Sequence, residues 1–183
     1  LETVKSCCKS TFMTTNILNQ KGNGGTTPLL VACEKGNLEI VKALVDAGAA
    51  VDQPNKEGWT SLYIACCNGN EEVVNLLIGA NADVNKAIND RIWTPLLVAS
   101  FYGNLEIVKT LIGAGAAINQ ASDKGWTPLL SACEKGYIEV VEALLKAGAS
   151  IDLADVSGVT PLYIACCNGN EEVVNLLIGA NAD

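Results

Sequence analysis

Eight cysteines and two adjacent glutamate pairs are the residues of this 183-residue chain best equipped for chemistry. Thiolates can ligate metals, attack electrophiles or close disulfides, and paired carboxylates can divide acid and base roles. The spacing argues against each use. Cys66-Cys67 and Cys166-Cys167 are adjacent, not two residues apart. With no histidine anywhere, a zinc site would need four convergent thiolates that this spacing does not supply. Cys33, Cys66, Cys133 and Cys166 occupy one position of a recurring pattern. Equivalent atoms of stacked helices lie about 8–10 Å apart, whereas a disulfide needs Cα atoms within about 7 Å. These cysteines are expected to be small buried hydrophobes in a reducing, cytoplasmic compartment. Glu71-Glu72 and Glu171-Glu172 are helix neighbours that point apart, so neither pair can work as acid and base. Cys67 and Cys167 have no cation fixed beside them. A nucleophile, a base and an orienting group cannot be named together, so no enzyme, metal or cofactor is expected.

Charge and hydropathy narrow the partners. Twelve basic against twenty acidic residues give a net charge of −8. No basic stripe is present to displace counterions from phosphate, so no nucleic acid partner is expected. No apolar run approaches the roughly 18–20 residues that span a bilayer, so no membrane insertion is expected. The start of the chain does not read as a signal peptide, and Leu1 is not an initiator methionine, which suggests a fragment of a longer chain.

The elements that position these residues repeat. Thr27, Thr60, Thr94, Thr127 and Thr160 follow one another at steps of 33, 34, 33 and 33 residues. A unit of that size cannot bury its own apolar face and must stack on copies of itself. Within one copy, Thr27 caps a short helix with Pro28 at its first position. The helix runs to about Lys35, and Gly36 breaks it, as do Gly69, Gly103, Gly136 and Gly169 in the other copies. Asn37 caps a second helix whose buried stripe is Ile40, Val41, Leu44 and Val45. Asn70, Asn104 and Asn170 repeat that cap, whereas Tyr137 does not. Gly48 ends the second helix, with Asn81, Gly115, Gly148 and Asn181 as counterparts. Ala49 to Trp59 then reads as a β-hairpin-like finger with turn formers Pro54, Asn55 and Gly58.

These residues resemble ankyrin repeats: two short helices, a finger, a Thr-Pro-Leu start, a mid-repeat glycine and a Gly-Ala-x-Val-Asp/Asn end. The resemblance implies an all-α fold with β-hairpin-like fingers, an ankyrin-repeat α-solenoid of five full repeats plus a degenerate N-terminal repeat. As a single domain 1–183 it divides into 1–26 (degenerate), 27–59, 60–93, 94–126, 127–159 and 160–183, the last incomplete. One departure is systematic. Where the family usually carries histidine after Thr-Pro-Leu, this chain has Leu30, Tyr63, Leu97, Leu130 and Tyr163. Apolar packing must replace the histidine's bonds to neighbouring backbone.

A longer period lies inside the short one. Leu62–Asp83 and Leu162–Asp183 are identical. The second block is followed by no further repeat in this sequence. A chain cut from a longer array, or an end that packs on something, is the expectation, with an exposed apolar edge there and end-to-end packing through it.

The resemblance implies a partner protein or peptide on the concave groove, beside finger tips and first helices. The residue before each Thr would project there: Thr26, Trp59, Trp93, Trp126 and Val159. The third full repeat adds Phe101 and Tyr102 at the end of its first helix. Trp93, Phe101, Tyr102 and Trp126 are expected to converge, with Trp59 one step away and Arg91 on the neighbouring finger. Such aromatics are typical anchors for protein partners. The alternative is that each Trp packs on a neighbouring finger and only stiffens the array. The 34-residue repeat carries one extra finger residue and puts Ile92 where other copies have glycine, either as a tolerated insertion or as a modified contact tip. The excess acidity falls on second helices, a solvated back face. The leading function is a non-catalytic protein-interaction scaffold. The alternative is a targeting or regulatory arm of a larger enzyme or channel.

Overall fold

Each threonine of the period starts a helix for a local reason. The Thr27 hydroxyl oxygen accepts a hydrogen bond from Leu30 N at 3.3 Å, satisfying an amide that the helix leaves unpaired. Thr60, Thr94, Thr127 and Thr160 do the same for Tyr63, Leu97, Leu130 and Tyr163. The computed structural model describes residues 17–88 and 92–181. After a short 3-10 helix at Asn23–Gly25, the α-helices from residue 28 onward are α1 Pro28–Glu34, α2 Leu38–Asp46, α3 Ser61–Asn68, α4 Glu71–Gly79, α5 Pro95–Tyr102, α6 Leu105–Gly113, α7 Pro128–Lys135, α8 Ile138–Lys146, α9 Pro161–Cys167 and α10 Glu171–Gly179. The degenerate repeat expected over 1–26 falls largely outside the described residues.

The chain packs as two compact units that divide between Asp83 and Val84. In the first, α1 packs on α3 and α2 on α4. In the second, α5, α7 and α9 pack in succession, as do α6, α8 and α10. The cores repeat the same positions: Leu29, Leu30, Leu62 and Leu77 in one unit, and Leu96, Leu97, Leu111, Leu129, Leu130 and Leu144 in the other, all 1% exposed or less. Burying one such side chain is worth about 1.5–3 kcal/mol, more than a typical helix cap.

The fingers are not hairpins. Among the described residues there is no β-strand, which corrects the β-hairpin-like fingers expected from the turn residues. The cause is a side-chain bond. An antiparallel pair would exchange two backbone bonds between Asn55 and Trp59. Asn55 N donates to Trp59 O at 3.1 Å, but Trp59 N donates instead to the Asn55 side-chain oxygen at 2.8 Å. Ser122 intercepts Trp126 N in the same way, and Asp155 intercepts Val159 N. A short polar side chain at the finger base thus closes a turn and stops a ladder.

Adjacent repeats within a unit are tied by the Asx residue at the end of each repeat. Asn19 Oδ1 accepts from Ala50 N, and an Asp52 carboxylate oxygen accepts from Asp83 N. Asn85 and Asn119 accept likewise from Ala117 N and Ser150 N, at 2.7 and 2.8 Å. Their amides also donate to Gly115 O and Gly148 O. These bonds join neighbouring loops in the absence of the histidine that the resemblance implies, while Leu30, Leu97 and Leu130 fill the core.

Three expectations change in detail. Asn37 caps α2 through Ile40 N, but Asn70, Asn104 and Asn170 make no side-chain cap. Asn170 Nδ2 instead donates to Cys133 O and Glu134 O, at 2.8 and 3.1 Å, so it joins two repeats rather than one helix end. Of the stripe on α2 only Val41 is buried, and Ile40 is exposed. Cys33, Cys66 and Cys133 are buried free thiols, but Cys166 is exposed. Its position is the same, but its surroundings differ.

Candidate functional site

In the second unit the residue before Thr94 begins a line along α5. Leu97 and Phe101 are four residues apart and share one face of α5, while Trp93 stands just before Thr94, which caps the helix. Leu97 is buried. Trp93 and Phe101 flank it, and their rings meet edge to face with centroids 5.5 Å apart. Tyr102 is the next residue, and its ring stands at 89° to that of Phe101, 5.3 Å away. Both arrangements suit the ring quadrupoles. Trp93 and Phe101 are half-buried, whereas Tyr102 is 52% exposed.

Lys135 completes this cluster, and sequence reading did not include it. It ends α7, the next first helix, at the repeat position that Tyr102 holds in α5. Its ammonium lies 4.5 Å from the Phe101 ring centroid and 3.5 Å from a Glu134 carboxylate oxygen. The signal was present, because equivalent residues of packed helices are neighbours, but a lysine at a helix end is commonplace.

The other expected members stand apart. Trp126 is half-buried and makes no ring pair among the described residues. Trp59, in the first unit, is 43% exposed and lies 6.2 Å from Tyr63, near the start of the next repeat. Arg91 and the Asn89-Asp90 bend fall outside the described residues. Ile92 follows them with φ +49° and is 40% exposed. A β-branched residue in the left-handed region is strained, and glycine fills this place in the other fingers, with Gly58, Gly125 and Gly158 at +84°, +80° and +81°. At Gly125 a second constraint applies: a Cβ there would stand 2.8 Å from the Asp155 Cα of the neighbouring finger.

Four of the thiols, those of Cys33, Cys66, Cys67 and Cys133, are set against reaction. Burial pushes the Cys33 and Cys133 thiols up to about 12, and Cys66 upward as well. Burial also raises Cys67, to about 11, although a hydrogen bond with Tyr63 opposes it. Thiolate populations at neutral pH are negligible at these positions. Among the described residues no group of three or more His, Cys, Asp or Glu side chains could hold a metal ion. Glu71, Glu72, Glu171 and Glu172 are exposed. No described helix is long and apolar enough to cross a membrane.

A family model described as ankyrin repeats (3 copies) matches residues 2–88 and 96–183. A second, described as ankyrin repeats (many copies), matches residues 68–112. No curated protein matches the chain.

Proposed function

The chain belongs to the ankyrin repeat family, and on that premise we propose that it is a non-catalytic scaffold binding a protein or peptide through the aromatic cluster of its second unit. The contact residues are Trp93, Phe101 and Tyr102, with Trp126 on the same proposed groove. Trp59, whose ring lies beside that of buried Tyr63, forms a second, smaller contact in the first unit. One observation carries the reading: Tyr102 leaves 52% of its surface in solvent although the rings beside it are packed. A Tyr that served only the core would be covered. Exposed rings on a rigid base supply large contact area at low entropic cost, and such anchors often contribute more than about 2 kcal/mol each.

The test is a pull-down from cell extract with wild type, Tyr102→Ala and the Trp93→Ala/Tyr102→Ala pair, read by mass spectrometry beside thermal melts. Partners retained by wild type and lost by Tyr102→Ala, at an unchanged melting point, are the expected result. Identical partner sets for all three proteins would reject the reading. A melting point lowered by several degrees in Tyr102→Ala with unaltered binding would make the cluster structural.

A further inference from the structure

We propose, on the footing of the binding reading above, that the partner brings an acidic side chain to the Lys135 ammonium, next to the apolar side chain that it lays on Tyr102. Lys135 is a cation held in place with its hydrogen bonds unmade. Lys109 and Lys146, on the second helices α6 and α8, donate to carboxylates of their own helices at 2.7 and 3.1 Å. Lys135 reaches the Glu134 carboxylate only at 3.5 Å and donates no hydrogen bond among the described residues. An ammonium carries three donors. Its position is nevertheless constrained: the side chain is 34% exposed, against 52% and 76% for Lys109 and Lys146, and the Phe101 ring lies 4.5 Å away. A side chain already confined against a ring loses less entropy on binding than a free one.

A lysine at the end of a helix ordinarily serves that helix by bonding its last carbonyls. Here Asn170 takes that task, donating through Nδ2 to Cys133 O and Glu134 O. The ammonium is released to the aromatic face. Glu134 does not cancel it outward, because Oε2, the Glu134 oxygen nearest the ammonium, is buried. The charge that the cluster turns towards solvent is therefore positive. A cation arriving on these rings would be repelled, whereas a carboxylate would accept the bonds that Lys135 leaves unmade.

The net charge of −8 limits the ligand further. A densely anionic partner would be repelled by the chain as a whole. One carboxylate beside one apolar side chain is what a single ammonium and the Tyr102 ring match. Their spacing follows from the helices. Tyr102 and Lys135 hold one repeat position, and equivalent positions of packed helices lie about 8–10 Å apart. Three residues of an extended polyproline-II chain rise about 9 Å and return to the same side. The partner segment then carries a large apolar residue and an aspartate or glutamate three positions apart.

Selection from a displayed library of random peptides tests this, with the whole chain as bait in four forms: wild type, Tyr102→Ala, Lys135→Gln and Lys135→Glu. Wild type is expected to enrich peptides with an apolar residue and an acid at that spacing. Lys135→Glu is expected to enrich lysine or arginine at the place of the acid. A synthetic peptide of the wild-type set is expected to bind Lys135→Gln about tenfold more weakly in titration. Melting points close to wild type establish that the variants are folded, and Lys135→Gln keeps the length of the side chain while removing its charge. Peptides that need Tyr102 but show no excess of acids, or that bind Lys135→Glu as well as wild type, overturn this proposal and leave the aromatic reading standing. Peptides indifferent to both residues, or no enrichment by wild type, reject the two together.

Discussion

The ammonium of Lys135 stands 4.5 Å from the centroid of the Phe101 ring, reaching it from the next first helix. That single contact links two repeats of the second unit on the face where the aromatic residues gather. It adds a third neighbour to Phe101, which is already flanked by Trp93 and Tyr102. A cation over a partly exposed ring contributes about 0.5–1 kcal/mol. Lys135→Ala is expected to lower unfolding stability by about that amount, and Lys135→Arg to recover it. Urea midpoints of the three proteins check this; equal midpoints would mean that the contact contributes nothing.

Ile92 offers a gain in stability. Its φ of +49° places a β-branched side chain where the left-handed backbone costs about 1–2 kcal/mol. Ile92→Gly relieves that strain but loosens the unfolded chain, which offsets about 0.5–1 kcal/mol. A net rise in stability of up to about 1 kcal/mol is expected. Ile92→Ala keeps the strain and is expected to show no rise. Thermal melts that rank the alanine variant above the glycine variant would contradict this account.

The tie between Asn119 and the following repeat is separable into two parts. Its carbonyl oxygen accepts from Ser150 N at 2.8 Å, and its amide donates to Gly148 O at 3.4 Å. Asn119→Ala loses both bonds and is expected to cost about 1–2 kcal/mol. Asn119→Asp keeps the acceptor, as Asp52 does naturally towards Asp83, and is expected to cost less than the alanine variant. Hydrogen exchange at the Ser150 amide reports the bond directly, accelerating in Asn119→Ala and holding in Asn119→Asp.

The thiols predict a pH dependence with a definite sign. Burial raises Cys133 from 9.0 to about 12, so the folded state holds its proton where the unfolded chain releases it. The stabilisation is complete below pH 9 and is lost as pH rises towards 12. Cys33 shifts the same way. Stability is therefore expected to fall through that window, less steeply in Cys133→Ala. At neutral pH an alkylating probe is expected to modify exposed Cys166 promptly and to spare Cys66 until unfolding, as read by peptide mass mapping. Equal rates at Cys66 and Cys166 would refute the burial difference.

Much of the fold was legible in the chain because its causes are local. Thr-Pro caps and starts a helix through atoms three residues apart, and glycine or asparagine accepts the left-handed turn that ends one. The period then forces stacking, since a pair of short helices cannot bury its own leucines. The fingers were misread because turn formers alone do not distinguish a hairpin from a turn closed by a side chain. Asn55, Ser122 and Asp155 are consistent with both, and only the destination of the Trp59, Trp126 and Val159 amides separates them.

The site divides along the same line. Trp93, Phe101 and Tyr102 belong to one stretch of chain, Trp93 just before the cap of α5 and the other two at its end. Lys135 lies more than thirty residues away, and only packing of α5 on α7 places it over Phe101. Burial is the clearest case of what sequence cannot assign. Tyr63 and Tyr163 sit in identical segments, each three residues after a capping threonine, yet one is 7% exposed and the other 59%. Local sequence determines the helix and the direction in which a side chain points. The tertiary structure alone decides what lies in that direction.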